Sequence, residues 1–461
     1  MNRLLRTISW HLAAVLLAGC AKYPKDAGFN DVQQQVMDRT GLPIQWNRGT
    51  AADRQAAEAI HALLQQELTA DTAVQVALLN NQNLQAVYEG LGIAQADLVA
   101  AGLLKNPTLS AAFGIPKYTA LPYQIDVTQD FLDLLFMPVR KRIAGAQFEA
   151  AKLRATDSVI TTASQVKAAF YRAQGAAQMV DLRRNVAAFT DASSATARKL
   201  HDAGNITDLT FANEQAEQQK AHIELAKEDR EALDAREELS GLMGVWGSDV
   251  NWKLSPRLPD LPAQEPDLRH AESLAISRRA DIAAAQQQVL ANAENLGLNR
   301  SSALMADARI GVGVDQDVDG PFTVGPSIEV PLPIFNQGQP AIEAAVSRLR
   351  QSQRQYMALA IEARSQVRRA RNRMLADREL VEYYRSVFIP LRQQITKQEQ
   401  LQFNAMQVNL FELLMAKQAE IDAGRDYVQA LEDYWVARAE LERVTGGMLA
   451  LPKAPTTQEH P

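Results

Sequence analysis

An internal duplication limits the fold of this chain more than any other feature of its sequence. The 461 residues repeat one pattern at an offset of about two hundred residues. The tripeptide Ser-Gln-Val, for example, stands at 164–166 and again at 365–367. We therefore predict two repeats, 71–250 and 268–447, joined by a proline-rich extended linker at 251–267.

Each repeat contains two segments in which apolar and polar residues alternate. In the first segment Leu109 and Phe113 share one face, and Ser110 lies on the other. Alternation with period two predicts a strand with one apolar side, and each segment has about the nine or ten residues of a tilted transmembrane strand. The four predicted strands lie at about 108–115, 123–131, 306–314 and 322–330.

Long helices follow each strand pair. Apolar residues recur at spacings of three and four in the second repeat, at Val346, Leu349, Tyr356, Ala360, Ala363, Val367, Ala370, Met374, Val381, Tyr384, Phe388, Leu391 and Ile395. This pattern predicts a coiled-coil helix from about 341 to 403, about 95 Å long. Pro390 should kink this helix without ending it. A helix of similar length is predicted at about 139–203.

Four strands are too few to close a barrel, and an open sheet edge in lipid would leave backbone groups without partners. Three copies would supply twelve strands, an even number that closes. We therefore predict a mainly α fold with a small transmembrane β part. Long antiparallel coiled-coil helices and four β-strands per protomer would complete a 12-stranded barrel and an α-helical tunnel as a homotrimer.

The first residues have the pattern of a lipoprotein signal peptide, at 1–19. Arg3 and Arg6 precede an apolar core of about a dozen residues, which suits a signal peptide and is too short to span a bilayer. The segment ends in Leu-Ala-Gly directly before Cys20, the only cysteine of the chain. This lipobox pattern predicts lipidation of Cys20 and a lipidated segment at 20–70, whereas the alternative is an idle or buried cysteine.

Outside these segments the sequence predicts no transmembrane helix, because no other run approaches about eighteen apolar residues. Residues 448–461 are predicted to be a flexible C-terminal tail. Position 21 is Ala. In the bacterial lipoproteins that the lipobox resembles, Asp at that position signals retention in the inner membrane, so its absence favours the outer membrane.

The order of helix, strand pair and long helices resembles the TolC/OprM/CusC outer-membrane efflux factors over nearly the whole mature chain. The motifs that carry the resemblance lie at 137–143 (MPVRKRI), 203–209 (AGNITDL), 330–339 (VPLPIFNQGQ) and 404–412 (NAMQVNLFE). The resemblance implies a tripartite pump with an inner-membrane transporter of the RND type, a periplasmic adaptor protein and this chain as the exit channel. It places the barrel in outer-membrane lipid and the tunnel in the periplasm.

The resemblance also suggests roles for residues of the two helix turns. The residues expected at the periplasmic tip, where an adaptor docks, are Gly204, Asp208, Met406 and Val408. Met406 departs from the family pattern, in which glycine is frequent. Glu412 would form the constriction, and a ring of three such carboxylates would attract cations and repel anions. The alternative for Glu412 is an ordinary helix salt bridge or a solvent-facing position.

Polar residues on the strands are expected to line a water-filled lumen, because the water side of a barrel is polar whatever the substrate. The acidic residues assigned to this lumen are Asp126, Asp130, Asp307 and Glu329. Residues 315–320 imitate half of an EF-hand calcium loop. Its twelfth position is Pro326 and its flanks are strands, so an extracellular turn is the better interpretation.

Several classes of function find no support in the sequence. A net charge of −6 argues against a nucleic-acid partner. The histidines lack metal-ligand spacing, and no nucleotide-binding or catalytic motif occurs, so we expect no enzyme activity, no metal site and no cofactor.

Small solutes, heavy-metal ions or drugs are the expected substrates, with copper systems the nearest likeness of the second turn. The alternatives are the exit duct of a type I protein secretion system, a non-channel coiled-coil lipoprotein scaffold in the periplasm, and a membrane-anchored enzyme.

Overall fold

The computed structural model describes residues 24–113, 123–129, 132–255, 257–303, 309–316, 321, 323–330 and 332–449. The chain forms two compact units. The first contains Tyr88–Ala155 and Ala280–Leu359 with the stretch that ends at Val32, and the second contains Gln33–Val87, Thr156–Arg279 and the stretch from Ala360. Each unit therefore takes residues from both predicted repeats.

Helices make up most of the described residues. In chain order they are α1 (Phe29–Thr40), α2 (Ala51–Leu64), α3 (Ala70–Asn80), α4 (Gln82–Ala101), α5 (Leu132–Asp202), α6 (Asp208–Met243), α7 (Ala271–Arg278), α8 (Ala280–Ser302), α9 (Gln339–Tyr383), α10 (Ile389–Asn404) and α11 (Leu410–Val444). A 3-10 turn occupies Gly247–Val250, and a π-helical turn, Tyr384–Phe388, connects α9 to α10. No helix of the described residues has both the length and the apolar character needed to cross a membrane.

The strands are β1 (Glu67–Leu68), β2 (Thr108–Phe113), β3 (Tyr123–Gln129), β4 (Lys253–Leu254), β5 (Arg309–Gln316) and β6 (Thr323–Glu329). The four longer strands match the predicted ones within the described residues. Predicted positions 114–115, 130–131, 306–308 and 322 lie outside them. Strand β5 continues to Gln316, with Asp315 paired to Thr323, so Asp315 belongs to the ladder and its assignment to the turn was wrong.

The four longer strands form one antiparallel sheet in the first unit, in the order β2-β3-β5-β6. The register aligns Leu109, Val127, Val312 and Pro326 across all four strands, while Ser110, Asp126, Gly313 and Gly325 form the next row. Side chains of neighbouring rows point to opposite faces. The sheet therefore has one apolar and one polar face, as the alternation predicts.

The duplication reappears in the buried positions of the second unit. Val166, Ala169 and Val180 of α5 are buried, and so are the residues 201 positions later, Val367, Ala370 and Val381 of α9. At the following turns the offset is 202, since Gly204 corresponds to Met406. The π-helical turn accounts for the additional residue, because a π-bulge is a one-residue insertion in an α-helix.

Pro390 lies in the first turn of α10, and the helix continues past it to Asn404, as predicted. In the π-helical turn directly before Pro390, the Ile389 N–H bonds to Tyr384 O, five residues earlier. Leu391 and Ile395, the last two apolar residues of the predicted coiled-coil pattern, are 48% and 37% exposed in the single chain.

The described residues of the linker at 251–267 form no helix, and they pack against other parts of the second unit, to which the linker belongs. Strands β1 and β4 pair in parallel, which the sequence does not indicate because each has only two residues. Trp252 and Leu258 are buried. Their burial anchors the segment along much of its length.

Candidate functional site

Two short turns join the long helices of the second unit, and the predicted tip residues lie in or beside them. The first turn connects α5 to α6 and the second connects α10 to α11. The same two backbone hydrogen bonds close each turn: Gly204 N–H to His201 O and Asn205 N–H to Leu200 O, then Met406 N–H to Phe403 O and Gln407 N–H to Gln402 O. This is the Schellman arrangement of a helix C-terminus.

The Schellman arrangement requires a left-handed residue, and the two turns use different ones. Gly204 has φ +72°, whereas Met406 has φ +59° although it carries a side chain. Left-handed backbone costs a residue with a Cβ atom roughly 1–2 kcal/mol. The departure from glycine that the sequence shows at Met406 is therefore a real local strain, and its side chain projects into solvent with 94% exposure.

We expect Gly204→Met to lower the free energy of unfolding by roughly 1 kcal/mol, because the new side chain must adopt the left-handed conformation. Met406→Gly should have a smaller effect of opposite sign, since glycine loses more backbone entropy on folding. Both are measurable by denaturant unfolding. Asn205→Met is the matched control, because Asn205 does not have a positive φ, and equal losses at 204 and 205 would contradict the interpretation.

The first turn is braced by His201. Its Nε2 lies 2.7 Å from Oδ1 of Asp208, and its ring stacks on Phe211 at 4.9 Å between centroids. The hydrogen bond to Asp208 raises the pKa of His201. Asp208 therefore holds the turn together, which the sequence did not indicate, and it remains accessible with a side chain 99% exposed.

The second turn is braced by Glu412. Asn409 Oδ1 accepts the Glu412 N–H at 3.0 Å, and Glu412 Oε2 accepts the Asn409 N–H at 3.2 Å. This reciprocal pair is a capping box at the start of α11. One carboxylate oxygen thus has a structural role in the single chain, and the side chain stays at the exposed end of the helix. Val408, also in this turn, is half-buried.

The polar face of the sheet carries the described lumen candidates. Asp126 lies in its middle, and a Cβ atom at Gly313 would overlap Asp126 Oδ1. Glycine at 313 therefore makes room for the carboxylate. Glu329 lies on the same face and is 3.6 Å from the guanidinium of Arg309, an exposed ion pair that the sequence analysis missed.

Three predicted residues, Cys20, Asp130 and Asp307, lie outside the described residues. Among the residues that are described, no group of three or more His, Cys, Asp or Glu side chains could hold a metal ion. The described candidates thus form two separate sets, one at the helix turns of the second unit and one on the polar face of the sheet in the first.

Two comparisons match this chain by sequence. A model of the outer membrane efflux protein family matches residues 258–447. The cobalt-zinc-cadmium resistance protein CzcC of Cupriavidus metallidurans is 23% identical over 391 residues, which cover 82% of this chain and 90% of that protein.

Two solved structures show that the fold extends over most of the chain. The outer membrane channel CmeC of Campylobacter jejuni superposes with a TM-score of 0.70 at 13% identity, over 88% of this chain and 90% of CmeC. CusC, described in connection with transmembrane channel formation, superposes with a TM-score of 0.67 at 17% identity, over 83% of this chain and 93% of CusC.

Proposed function

From a chain that belongs to the TolC/OprM/CusC type of outer-membrane efflux factor, we propose the exit channel of a tripartite efflux pump. Three copies form a 12-stranded barrel in the outer membrane and an α-helical tunnel in the periplasm. The channel carries small solutes outward from an inner-membrane transporter of the RND type, which supplies the energy. No catalytic step belongs to this chain.

The sheet of the first unit is the observation that carries this proposal. The residues on its apolar face are exposed in the single chain: Leu109 is 69% exposed and Ile328 is 73% exposed. Within the described residues, strands β2 and β6 each pair on one side only. The apolar face is unstable in water, and the two open edges are unstable in lipid. Joining β6 of one copy to β2 of the next closes the edges, so that the apolar face can lie in lipid.

The two turns support docking of a periplasmic adaptor. Leu209 is 71% exposed beside Asp208, and Met406 is the most exposed apolar side chain of the second turn. Exposed apolar residues ringed by polar ones are typical of a protein-binding surface. We assign this surface to the adaptor, with Gly204 and Val408 shaping the two turns.

For the substrate we favour heavy-metal ions over drugs. The similarity to CzcC, a protein named for cobalt, zinc and cadmium resistance, supports this preference. A ring of three Glu412 carboxylates at the narrow end suits cations, because it lowers their electrostatic energy on entry. Lipidation of Cys20 would add a membrane anchor, which several acyl chains on one residue make stable.

Reconstitution in planar bilayers tests the proposed channel. The purified protein should run as a trimer in detergent and give discrete conductance steps when added to the bilayer. A protein that stays monomeric and water-soluble without detergent, or a trimer that conducts at no voltage, would leave only the scaffold function.

Glu412→Gln should reduce the cation selectivity of the channel while leaving its assembly unchanged. Glutamine keeps the capping box, since it also accepts the Asn409 N–H, and only the charge is lost. The reversal potential under a salt gradient measures the change. Glu329→Gln, on the polar face of the sheet, is the control for a general loss of charge. An unchanged reversal potential in Glu412→Gln would remove Glu412 from the constriction.

A further inference from the structure

Helix α9 carries six arginines between Ala360 and its end at Tyr383, and four of them have a carboxylate partner. These four pairs are Arg368 with Glu272, Arg369 with Glu362, Arg373 with Asp377 and Arg378 with Glu265. The other two, Arg364 and Arg371, have no carboxylate within ion-pair distance among the described residues. Both side chains are exposed.

Arg364 and Arg371 line the same pocket. Residues 268–273, which lead into α7 and form its first turn, make one wall, and Arg364, Arg368 and Arg371 of α9 make the other. The volume of the pocket is about 270 Å³, just below the range of drug-sized ligand sites, so it suits a small chemical group. The three arginines follow one another at spacings of four and three, which places them on one face of the helix.

The charges around this pocket do not cancel. Two of its arginines are in neutral ion pairs, Arg269–Asp267 at 2.6 Å and Arg368–Glu272 at 2.9 Å. When His270 is counted as neutral, Arg364 and Arg371 leave the pocket with two uncompensated positive charges. Like charges three or four residues apart destabilise a helix, and the three arginines of α9 form such a row. An anion held between them would remove that repulsion.

Farther along the same face of α9, the chain itself compensates the next arginine. Arg378 is seven residues after Arg371, and it bonds to the carboxylate of Glu265 in the linker. At Arg368, the first turn of α7 supplies Glu272 in the same way. The described residues opposite Arg364 and Arg371 supply no such carboxylate, so a ligand can take that place.

We propose that this pocket binds a phosphate dianion, either inorganic phosphate or the phosphate of a monoester. Such a group carries a charge of about −1.5 to −2 at neutral pH, which matches the two uncompensated arginines. Guanidinium groups bind phosphate oxygens through paired N–H donors. Arg364 and Arg371 are about 10 Å apart along the helix axis, a spacing at which two extended arginine side chains can converge on one group. Binding at this site does not depend on the proposed trimer.

Isothermal titration calorimetry of the full-length protein in detergent, with inorganic phosphate at neutral pH, tests this site. We expect saturable binding of one phosphate per chain. Arg364→Gln and Arg371→Gln should each weaken binding about tenfold, because each removes a charge-assisted contact. Absence of saturable binding to the parent chain would overturn the proposal.

Arg369→Gln is the matched control. It removes the same charge from another side of α9, where Arg369 is 70% exposed and paired with Glu362. The affinity for phosphate should change by less than about twofold, because solvent and salt screen a charge that does not touch the ligand. Equal losses in Arg369→Gln and Arg371→Gln would show that phosphate responds only to the overall charge of the helix, and would also overturn the site.

Glu272→Gln tests the charge balance in the opposite direction. It frees Arg368 from its ion pair and adds a third uncompensated positive charge to the pocket. Phosphate should therefore bind severalfold more tightly than it does to the parent chain. Unchanged or weaker binding would contradict the row of arginines as the site.

Two further probes define the ligand. Acetate, a monoanion, should bind at least about tenfold more weakly than phosphate, and equal binding would overturn the match to a dianion. Glycerol phosphate carries the dianion on an organic group. Tighter binding of glycerol phosphate than of inorganic phosphate would assign the pocket to a monoester, and the reverse order would assign it to the free ion.

The calorimetric result is independent of the bilayer experiment. A trimer that conducts but binds no phosphate would overturn the phosphate site and leave the channel intact. A chain that binds phosphate but conducts at no voltage would do the reverse.

Discussion

Replacing Glu265 by Ala should lower the free energy of unfolding by about 3 kcal/mol, because it removes the carboxylate that bridges two enclosed guanidinium groups. Arg438 then loses its carboxylate partner, and Arg378 keeps only its ion pair with the more exposed Glu382. Glu265 belongs to the linker, and its carboxylate bonds to Arg378, Arg438 and the hydroxyl of Tyr434. The side chains of Glu265, Arg378 and Arg438 are only 14%, 20% and 16% exposed. Water can therefore do little to compensate the loss.

The rest of the linker depends on the same contact. Arg378 also donates to the carbonyl oxygen of Pro262 at 3.1 Å, and Trp435 donates to that of Pro259 at 2.8 Å. The extended segment is held across α9 and α11 by these bonds. Losing Glu265 should free it locally, so hydrogen exchange around residues 257–267 should also accelerate.

Denaturant unfolding measures the effect, with Glu272→Ala as the matched control. Glu272 makes a comparable ion pair with Arg368 at 2.9 Å, but the two side chains are 40% and 55% exposed. Exposed pairs contribute about 0–1 kcal/mol. A loss at Glu265 no larger than the loss at Glu272 would show that the linker is not held by this carboxylate. Glu265→Gln, which keeps the shape without the charge, should lie between them.

The second large effect is on pH dependence, through Glu432 of α11. Burial, with a smaller contribution from the negative charge of Asp433, raises the pKa of Glu432 to about 7. The folded chain therefore holds this proton more tightly than the unfolded chain. The resulting stabilisation is complete below the ordinary glutamate pKa and is lost as pH rises through about 7, with a total of roughly 2–3 kcal/mol.

Glu432→Gln should remove this dependence, because glutamine is neutral at every pH. The difference in unfolding free energy between variant and parent should favour the variant at pH 8 by roughly 2–3 kcal/mol and fall toward zero near pH 4. Unfolding curves at a series of pH values measure the difference. A constant difference across this range would mean that the pKa of Glu432 is the same in the folded and the unfolded chain.

Gly175 provides an independent test of the same contact. A Cβ atom on Gly175 of α5 would overlap the carboxylate of Glu432 and lie 3.3 Å from its Cγ. Gly175→Ala should therefore destabilise the parent chain but have little effect in the Glu432→Ala background. Equal losses in both backgrounds would show that the glycine serves another purpose.

Periodicity in the sequence predicted the strands and the helices whose side chains follow the same period. Alternation marked the four strands because one face of each must stay apolar, and the register confirms that their apolar residues share one side. Spacing of three and four marked Val367 and Val381 as buried, which they are. The same spacing did not reveal that Leu391 is exposed in the single chain, because periodicity says that a residue is apolar and not which neighbour covers it.

The candidate site, too, was predicted only in part by the sequence. The motif resemblance pointed to the two turns and to Met406 in a glycine position, where the structure finds φ +59°. It could not reveal the brace of His201 on Asp208 or the capping role of Glu412. Those contacts depend on side-chain rotamers, which the sequence alone does not specify.

The sequence by itself determined the duplication, the amphipathic strands and the length of the helices, since each is a local pattern that hydrophobic burial imposes on neighbouring residues. Only the tertiary structure decided how Glu265 meets Arg378 and Arg438, why Gly175 must lack a side chain, and which helix sides stay open. These are contacts between residues more than a hundred positions apart, and packing geometry, not composition, selects them.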